Sequence, residues 1–67
     1  MILDEIVAHF GSQSELARVL GIDRANVSMW MKDKAMPSVH AINIELLTDG
    51  KFKAVDIVYQ LNDPDNQ

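Results

Sequence analysis

Cysteine is absent from the 67 residues, which excludes disulfide bonds and thiolate ligands for zinc. Proline occurs only twice and 48% of the residues are hydrophobic, a composition that predicts folding rather than disorder. No apolar run approaches the roughly 20 residues that span a bilayer, and the basic-then-apolar pattern of a signal peptide is missing. We therefore expect a small protein of the cytoplasm with no membrane partner.

Groups that perform chemistry are also scarce. The two histidines, His9 and His40, lie far apart in the sequence, and no nucleophile, base and orienting residue form a catalytic set. The sequence predicts neither an enzyme nor a site for a metal, a cofactor or a small-molecule substrate. A chain this short without covalent staples commonly gains stability by self-association.

Positive charge is in the minority. The net charge is −4, which by itself argues against nucleic acid as a partner. However, the formal charges of residues 11–40 sum to +1, whereas those of residues 1–10 sum to −2 and those of residues 41–67 sum to −3. Because net charge bears on association and solubility rather than on fold, the mildly basic centre leaves a DNA-binding function open.

The first half of the chain carries the pattern of three short helices. Apolar residues of the first helix follow the spacing i, i+3, i+4 and i+7, and they are Leu3, Ile6, Val7 and Phe10. The first helix is predicted to end at Gly11, because glycine commonly lies just past the end of a helix. A second helix begins after Ser12, which forms a capping box with Glu15, and ends at Gly21. Asp23 is a favourable N-cap residue for a third helix.

Residues 39–60 are compatible with two folds. Apolar residues alternate from residue 42 to residue 46, and Asp49-Gly50 is a strong hairpin dipeptide, so a β-hairpin is one interpretation. The other is a pair of helices, because Lys53, Asp56 and Gln60 form a polar stripe at helical spacing. The apolar face opposite that stripe consists of Phe52, Val55, Val58 and Tyr59. We favour five short helices and an all-α fold, with an α+β fold that ends in a hairpin as the alternative.

Residues 13–32 have the layout of a helix-turn-helix motif. Gly21 permits the positive φ of a tight turn, and Ala17 is small enough for the two helices to approach closely. Val27 and Trp30 then pack the second helix on the first. Such a motif lays its second helix in the major groove of DNA. We expect one domain over residues 1–61 and a flexible acidic tail over residues 62–67.

The motif resembles the helix-turn-helix of phage repressors and Cro proteins in the spacing of five residues, which are Gln13, Ala17, Gly21, Val27 and Trp30. The long interval between the third helix and Asp49-Gly50, which contains Met36-Pro37, resembles the all-helical branch of the Cro family rather than the lambda branch with its C-terminal hairpin. YdaS-like bacterial regulators share these features. The resemblance covers about residues 6–60.

The resemblance implies a sequence-specific repressor that binds a palindromic operator in double-stranded DNA as a homodimer in a bacterial host cell. Its recognition helix would span about residues 24–32. The residues that would contact bases are Arg24, Ala25, Ser28 and Met29. Those that would contact phosphates are Ser12, Gln13, Lys32 and Lys34. A YdaS-like regulator or antitoxin, and a protein-interaction module without DNA binding, are the alternatives.

A surplus of apolar residues predicts the place of the subunit contact. Apolar side chains lie on nearly every side of the helix predicted over residues 39–47, and one small core cannot cover all of them. Val39, Ile42 and Leu46 form the main apolar stripe of a helix here. The apolar residues off that stripe are Ala41, Ile44 and Leu47, and we predict that they contact a second subunit. Alternatively, residues 52–61 fold over them and bury them.

Overall fold

A computed structural model describes residues 1–61, whose regular secondary structure is five helices with no strand. In chain order they are α1 Ile2–Phe10, α2 Gln13–Leu20, α3 Arg24–Asp33, α4 Ser38–Leu47 and α5 Ala54–Gln60. The all-α prediction is confirmed and the hairpin alternative is not favoured. Asp49-Gly50 ends α4 instead, because the Gly50 N–H donates to the carbonyl of Glu45 at 2.9 Å.

The chain divides into two compact units. The first unit, Met1–Lys34, contains α1 to α3, and the second, from Ala35 onward, contains α4 and α5. α2 packs on both α1 and α3 in the first unit, and α4 packs on α5 in the second.

Within the described part of the chain, no helix is long and apolar enough to cross a membrane. The predicted tail at residues 62–67 lies outside the described residues, and the single domain over 1–61 stays a prediction.

Side-chain caps begin α2 and α3 at the predicted residues. The Ser12 hydroxyl oxygen accepts a hydrogen bond from the Glu15 backbone N–H at 3.1 Å. The Asp23 carboxylate accepts one from the Ala25 N–H at 3.0 Å. Each cap satisfies a backbone donor that the helix itself leaves unpaired, which is worth about 1 kcal/mol.

The turn between α2 and α3 depends on Gly21. Gly21 has φ 70° and ψ 31°, the left-handed conformation that glycine adopts without steric cost. This conformation lets the Ile22 N–H donate to the Ala17 carbonyl at 3.0 Å, the long bond of a Schellman motif. Ala17 itself is buried, as expected where two helices approach closely. The helix-turn-helix is therefore built as predicted.

In the second unit, α4 and α5 bury faces other than those predicted. Ala41 and Ile44 are 0% exposed. The exposed apolar residues of α4 are Val39, Ile42, Leu46 and Leu47, and those of α5 are Val55, Val58 and Tyr59. α5 instead buries Ile57, and Leu61 just beyond its end is buried as well. The prediction that Ala41 and Ile44 contact a second subunit is corrected, because both side chains are already covered; only Leu47 of the predicted set is open.

The connection between α4 and α5 is organised by side chains of α4 and its C-cap. Glu45 Oε1 accepts a hydrogen bond from the Ala54 N–H at 2.6 Å and thereby caps α5, whose N-cap residue Lys53 makes no side-chain cap bond. The Thr48 hydroxyl donates to the Ile44 carbonyl at 2.7 Å and accepts from the Phe52 N–H at 3.3 Å. These bonds hold the start of α5 against the end of α4.

Replacing Glu45 with alanine is expected to lower the free energy of unfolding by about 1–2 kcal/mol, because the start of α5 loses its cap. Glu45→Gln keeps a carbonyl oxygen at the same position and should recover at least half of this loss. Urea denaturation followed by circular dichroism measures both variants. Equal losses in the two variants would assign the effect to the charge of Glu45 rather than to its hydrogen bond.

Candidate nucleic-acid interface

α3 presents a continuous exposed surface, which we call the recognition face. Its residues are Arg24, Ala25, Ser28, Met29, Lys32 and Asp33, which together line one shallow depression. An α-helix with its side chains is about 10–12 Å across. The major groove of B-DNA is about 12 Å wide and admits one helix. On the other side of α3, Val27 and Trp30 are buried.

All four predicted base-contacting residues lie on the recognition face. Met29 is 60% exposed, so its side chain does not fold back into the interior. Sequence reasoning missed Asp33, because it ends the recognition helix at about residue 32, whereas α3 continues through Asp33. The Asp33 carboxylate adds an acceptor and a negative charge at the C-terminal end of the face.

The Arg24 guanidinium is exposed at the first position of α3. Within residues 1–61 the ion pairs join the N-terminal amino group with Asp4 and Arg18 with Glu15, so no described carboxylate pairs with Arg24. The adjacent Asp23 carboxylate is instead engaged by the backbone of α3. The fork of donors on Arg24 is therefore open to a ligand.

A hydrogen bond joins the start of α2 to the middle of the recognition face. The Ser28 hydroxyl donates to Gln13 Oε1 at 2.8 Å, across 15 positions of sequence. Gln13 is half-buried and Ser28 is exposed. No local spacing rule predicts this pair, because it exists only once α2 and α3 have packed together. It connects a predicted phosphate contact to a predicted base contact.

The four predicted phosphate-contacting residues lie at two places in the first unit. Ser12 and Gln13 stand at the N-terminus of α2, where the helix dipole favours anions. Lys32 lies in the last turn of α3, and Lys34 is its C-cap. Lys34 has φ 53°, the left-handed conformation that ends α3, and its side chain is exposed.

Sequence reasoning gave no role to Arg18 of α2. Its guanidinium donates to Glu15 Oε2 from Nε at 3.1 Å and from Nη2 at 2.9 Å. The hydrogen bond to Glu15, together with the Glu15 charge, raises the pKa of Arg18 above its ordinary value. The i, i+3 spacing of the two residues is the signal that could have found the pair. Since Glu15 compensates Arg18, the open cations of the first unit are Arg24, Lys32 and Lys34.

Known proteins match nearly the whole chain. The family model described as DNA-binding transcriptional regulator Cro matches residues 3–62. The regulatory protein cro of Pseudomonas phage D3 is 49% identical over 57 residues, which are 84% of this chain and 78% of that protein. The regulatory protein cro of Salmonella phage P22 is 33% identical over 60 residues, which are 90% of this chain and 95% of that protein. No solved structure matches.

Proposed function

Because the chain belongs to the Cro family of DNA-binding transcriptional regulators, we propose that it represses transcription by occupying a palindromic operator as a dimer. Each subunit would lay α3 in the major groove of one half-site, with the half-sites about one helical turn apart. Occupancy excludes polymerase or a competing repressor and needs no chemical step. The observation that carries the proposal is the exposed recognition face, whose donor and apolar side chains suit the base edges of one major groove. The cytoplasm of the bacterial host is the proposed place of action.

We assign the reading of bases to the residues of the recognition face in the first two turns of α3. Arg24 can donate two hydrogen bonds to O6 and N7 of guanine, a pairing that no other base offers. Ala25 and Met29 offer apolar contact, which suits the methyl group of thymine. Ser28 supplies a hydroxyl group between them.

We assign phosphate contacts to both ends of the motif. The hydroxyl proton of Ser12 and the amide N–H groups of Gln13 can donate to a phosphate at the N-terminus of α2. Lys32 and Lys34 supply positive charge beyond the end of the base-reading turns. With few open cations and a net charge of −4, we expect modest affinity for non-operator DNA and a salt dependence that reflects a handful of phosphates.

The second copy would dock on the exposed apolar surface of α4 and α5. Val39, Ile42 and Leu46 lie at i, i+3 and i+7, so they form one stripe along α4. Leu46 is 75% exposed and Tyr59 of α5 is 90% exposed. Monomers seldom leave large contiguous apolar patches open to water, and two half-sites of DNA require two copies of α3. This surface replaces Ala41 and Ile44 as the proposed contact and retains Leu47.

Selection from random duplex DNA, followed by titration of the selected site at several salt concentrations, tests the proposal. We expect a palindromic consensus with two half-sites. We also expect log K to fall linearly with log salt, with a slope of about −0.9 per phosphate contacted. Lack of enrichment at every salt concentration would contradict DNA reading and favour a protein-interaction module. A consensus without symmetry would contradict the dimer alone.

A further inference from the structure

We propose that Gln13 fixes the hydrogen-bonding polarity of Ser28, so that the Ser28 hydroxyl selects adenine or cytosine at the base that it faces. The inference deepens the proposed function and rests on it. Gln13 acts here as a positioning residue for base reading, in addition to its proposed phosphate contact. The observation behind the inference is the bond from the Ser28 hydroxyl to Gln13 Oε1.

A serine hydroxyl carries one proton and two lone pairs. The proton of Ser28 is engaged by Gln13 Oε1 at 2.8 Å, the ordinary length of a good O–H···O bond. What Ser28 can still offer to a ligand is therefore its lone pairs. An unconstrained hydroxyl would rotate to donate or to accept, whereas this hydroxyl is held as an acceptor.

The major-groove edges of the bases differ in what they offer such an acceptor. Adenine presents the N6 amino group and cytosine the N4 amino group, both of which donate. Guanine presents O6 and N7, and thymine presents O4, all of which accept. An acceptor that faces another acceptor leaves both groups without a hydrogen-bond partner, which disfavours guanine and thymine at that position.

The position of Gln13 in the fold supports this constraint. Gln13 is the first residue of α2, directly after the Ser12 cap, and α2 packs on α3. The Gln13 amide nitrogen carries two N–H groups, which suit a phosphate oxygen. A phosphate bound there would keep Oε1 turned toward Ser28, so that docking on the backbone and reading of the base reinforce each other.

The first experiment removes single groups from the DNA. In the selected operator, the base pair that faces Ser28 is the one at which Ser28→Ala removes the sequence preference. At that position, either inverting the pair or replacing the base by its analogue without the exocyclic amino group should weaken wild-type binding about three- to tenfold. The same changes in the DNA should leave the affinity of Ser28→Ala nearly unchanged.

The second experiment changes the residue that sets the polarity. In Gln13→Ala the Ser28 proton is free, so the affinity ratio between the original and the inverted pair should fall toward one at this position only. Gln13→Glu keeps an acceptor for the proton, so the ratio should persist while every operator binds more weakly, because the new charge faces phosphate. Because both affinities in the ratio are measured with the same protein sample, a loss of folded protein in either variant does not change the ratio.

Several results would overturn the inference. They are a guanine or thymine edge at the Ser28 position, a position preference that Ser28→Ala does not remove, and an unchanged ratio in Gln13→Ala. If wild-type protein binds all duplexes equally, the proposed function fails together with the inference. If wild-type protein discriminates between operators and Gln13→Ala has the same affinity ratio between the original and the inverted pair, the inference fails and the proposed function stands.

Discussion

Replacing Ile44 with aspartate is expected to unfold the chain. Ile44 is 0% exposed, and truncating such a side chain alone costs about 2–5 kcal/mol. The variant also buries a carboxylate without a partner, which adds a desolvation penalty. Because domains below about 70–80 residues rarely have more than about 3–5 kcal/mol of stability, the helical circular dichroism signal and the cooperative thermal transition should both be lost.

Leu46→Asp is the matched control, since it places the same side chain two positions along the same helix. Leu46 is 75% exposed, so this variant should keep the helical signal and a thermal transition close to that of the wild type. If α4 carries the subunit contact, the variant should sediment as a monomer at concentrations where the wild type self-associates. A folded Ile44→Asp variant would contradict the burial of Ile44, and an unchanged mass of Leu46→Asp would move the contact away from α4.

This pair of variants also shows where prediction from the sequence ends in the second unit. Residues 39–47 are apolar on nearly every side, so periodicity identifies a helix without identifying its buried face. The structure adds tertiary packing, including that of α4 on α5, and it buries Ile44 while Leu46 stays exposed. The Glu45 bond to Ala54 is likewise absent from any local pattern, because it spans two helices.

In the first unit, local chemistry determines much more. Ser12, Gly21 and Asp23 each act through backbone groups within five residues, so their types and spacing were enough to place the ends of α2 and the start of α3. The recognition face follows from helical spacing once Val27 and Trp30 are assigned to the interior. The bond between Gln13 and Ser28 could not be predicted, because it needs the packed geometry of both helices.

Replacing Arg24 with alanine is expected to remove sequence preference at one base pair of each half-site. The Arg24 side chain is exposed and pairs with no carboxylate among residues 1–61, so the variant should fold as well as the wild type. The loss of two charge-assisted hydrogen bonds to guanine should cost about 1–3 kcal/mol on the selected operator. Titration of the selected operator and of a duplex substituted at that pair measures the change in their ratio.

Arg24→Lys and Lys32→Ala distinguish the recognition of a base from the attraction of a positive charge to phosphate. Arg24→Lys keeps the positive charge without the planar fork, so it should restore affinity for all duplexes but only part of the preference. Lys32→Ala should weaken binding to all duplexes alike and reduce the salt slope by about one, as expected of a phosphate contact. If Arg24→Ala weakened all duplexes equally, as Lys32→Ala is expected to do, Arg24 would belong with the phosphate contacts. The bases would then be read by Ala25, Ser28 and Met29 alone.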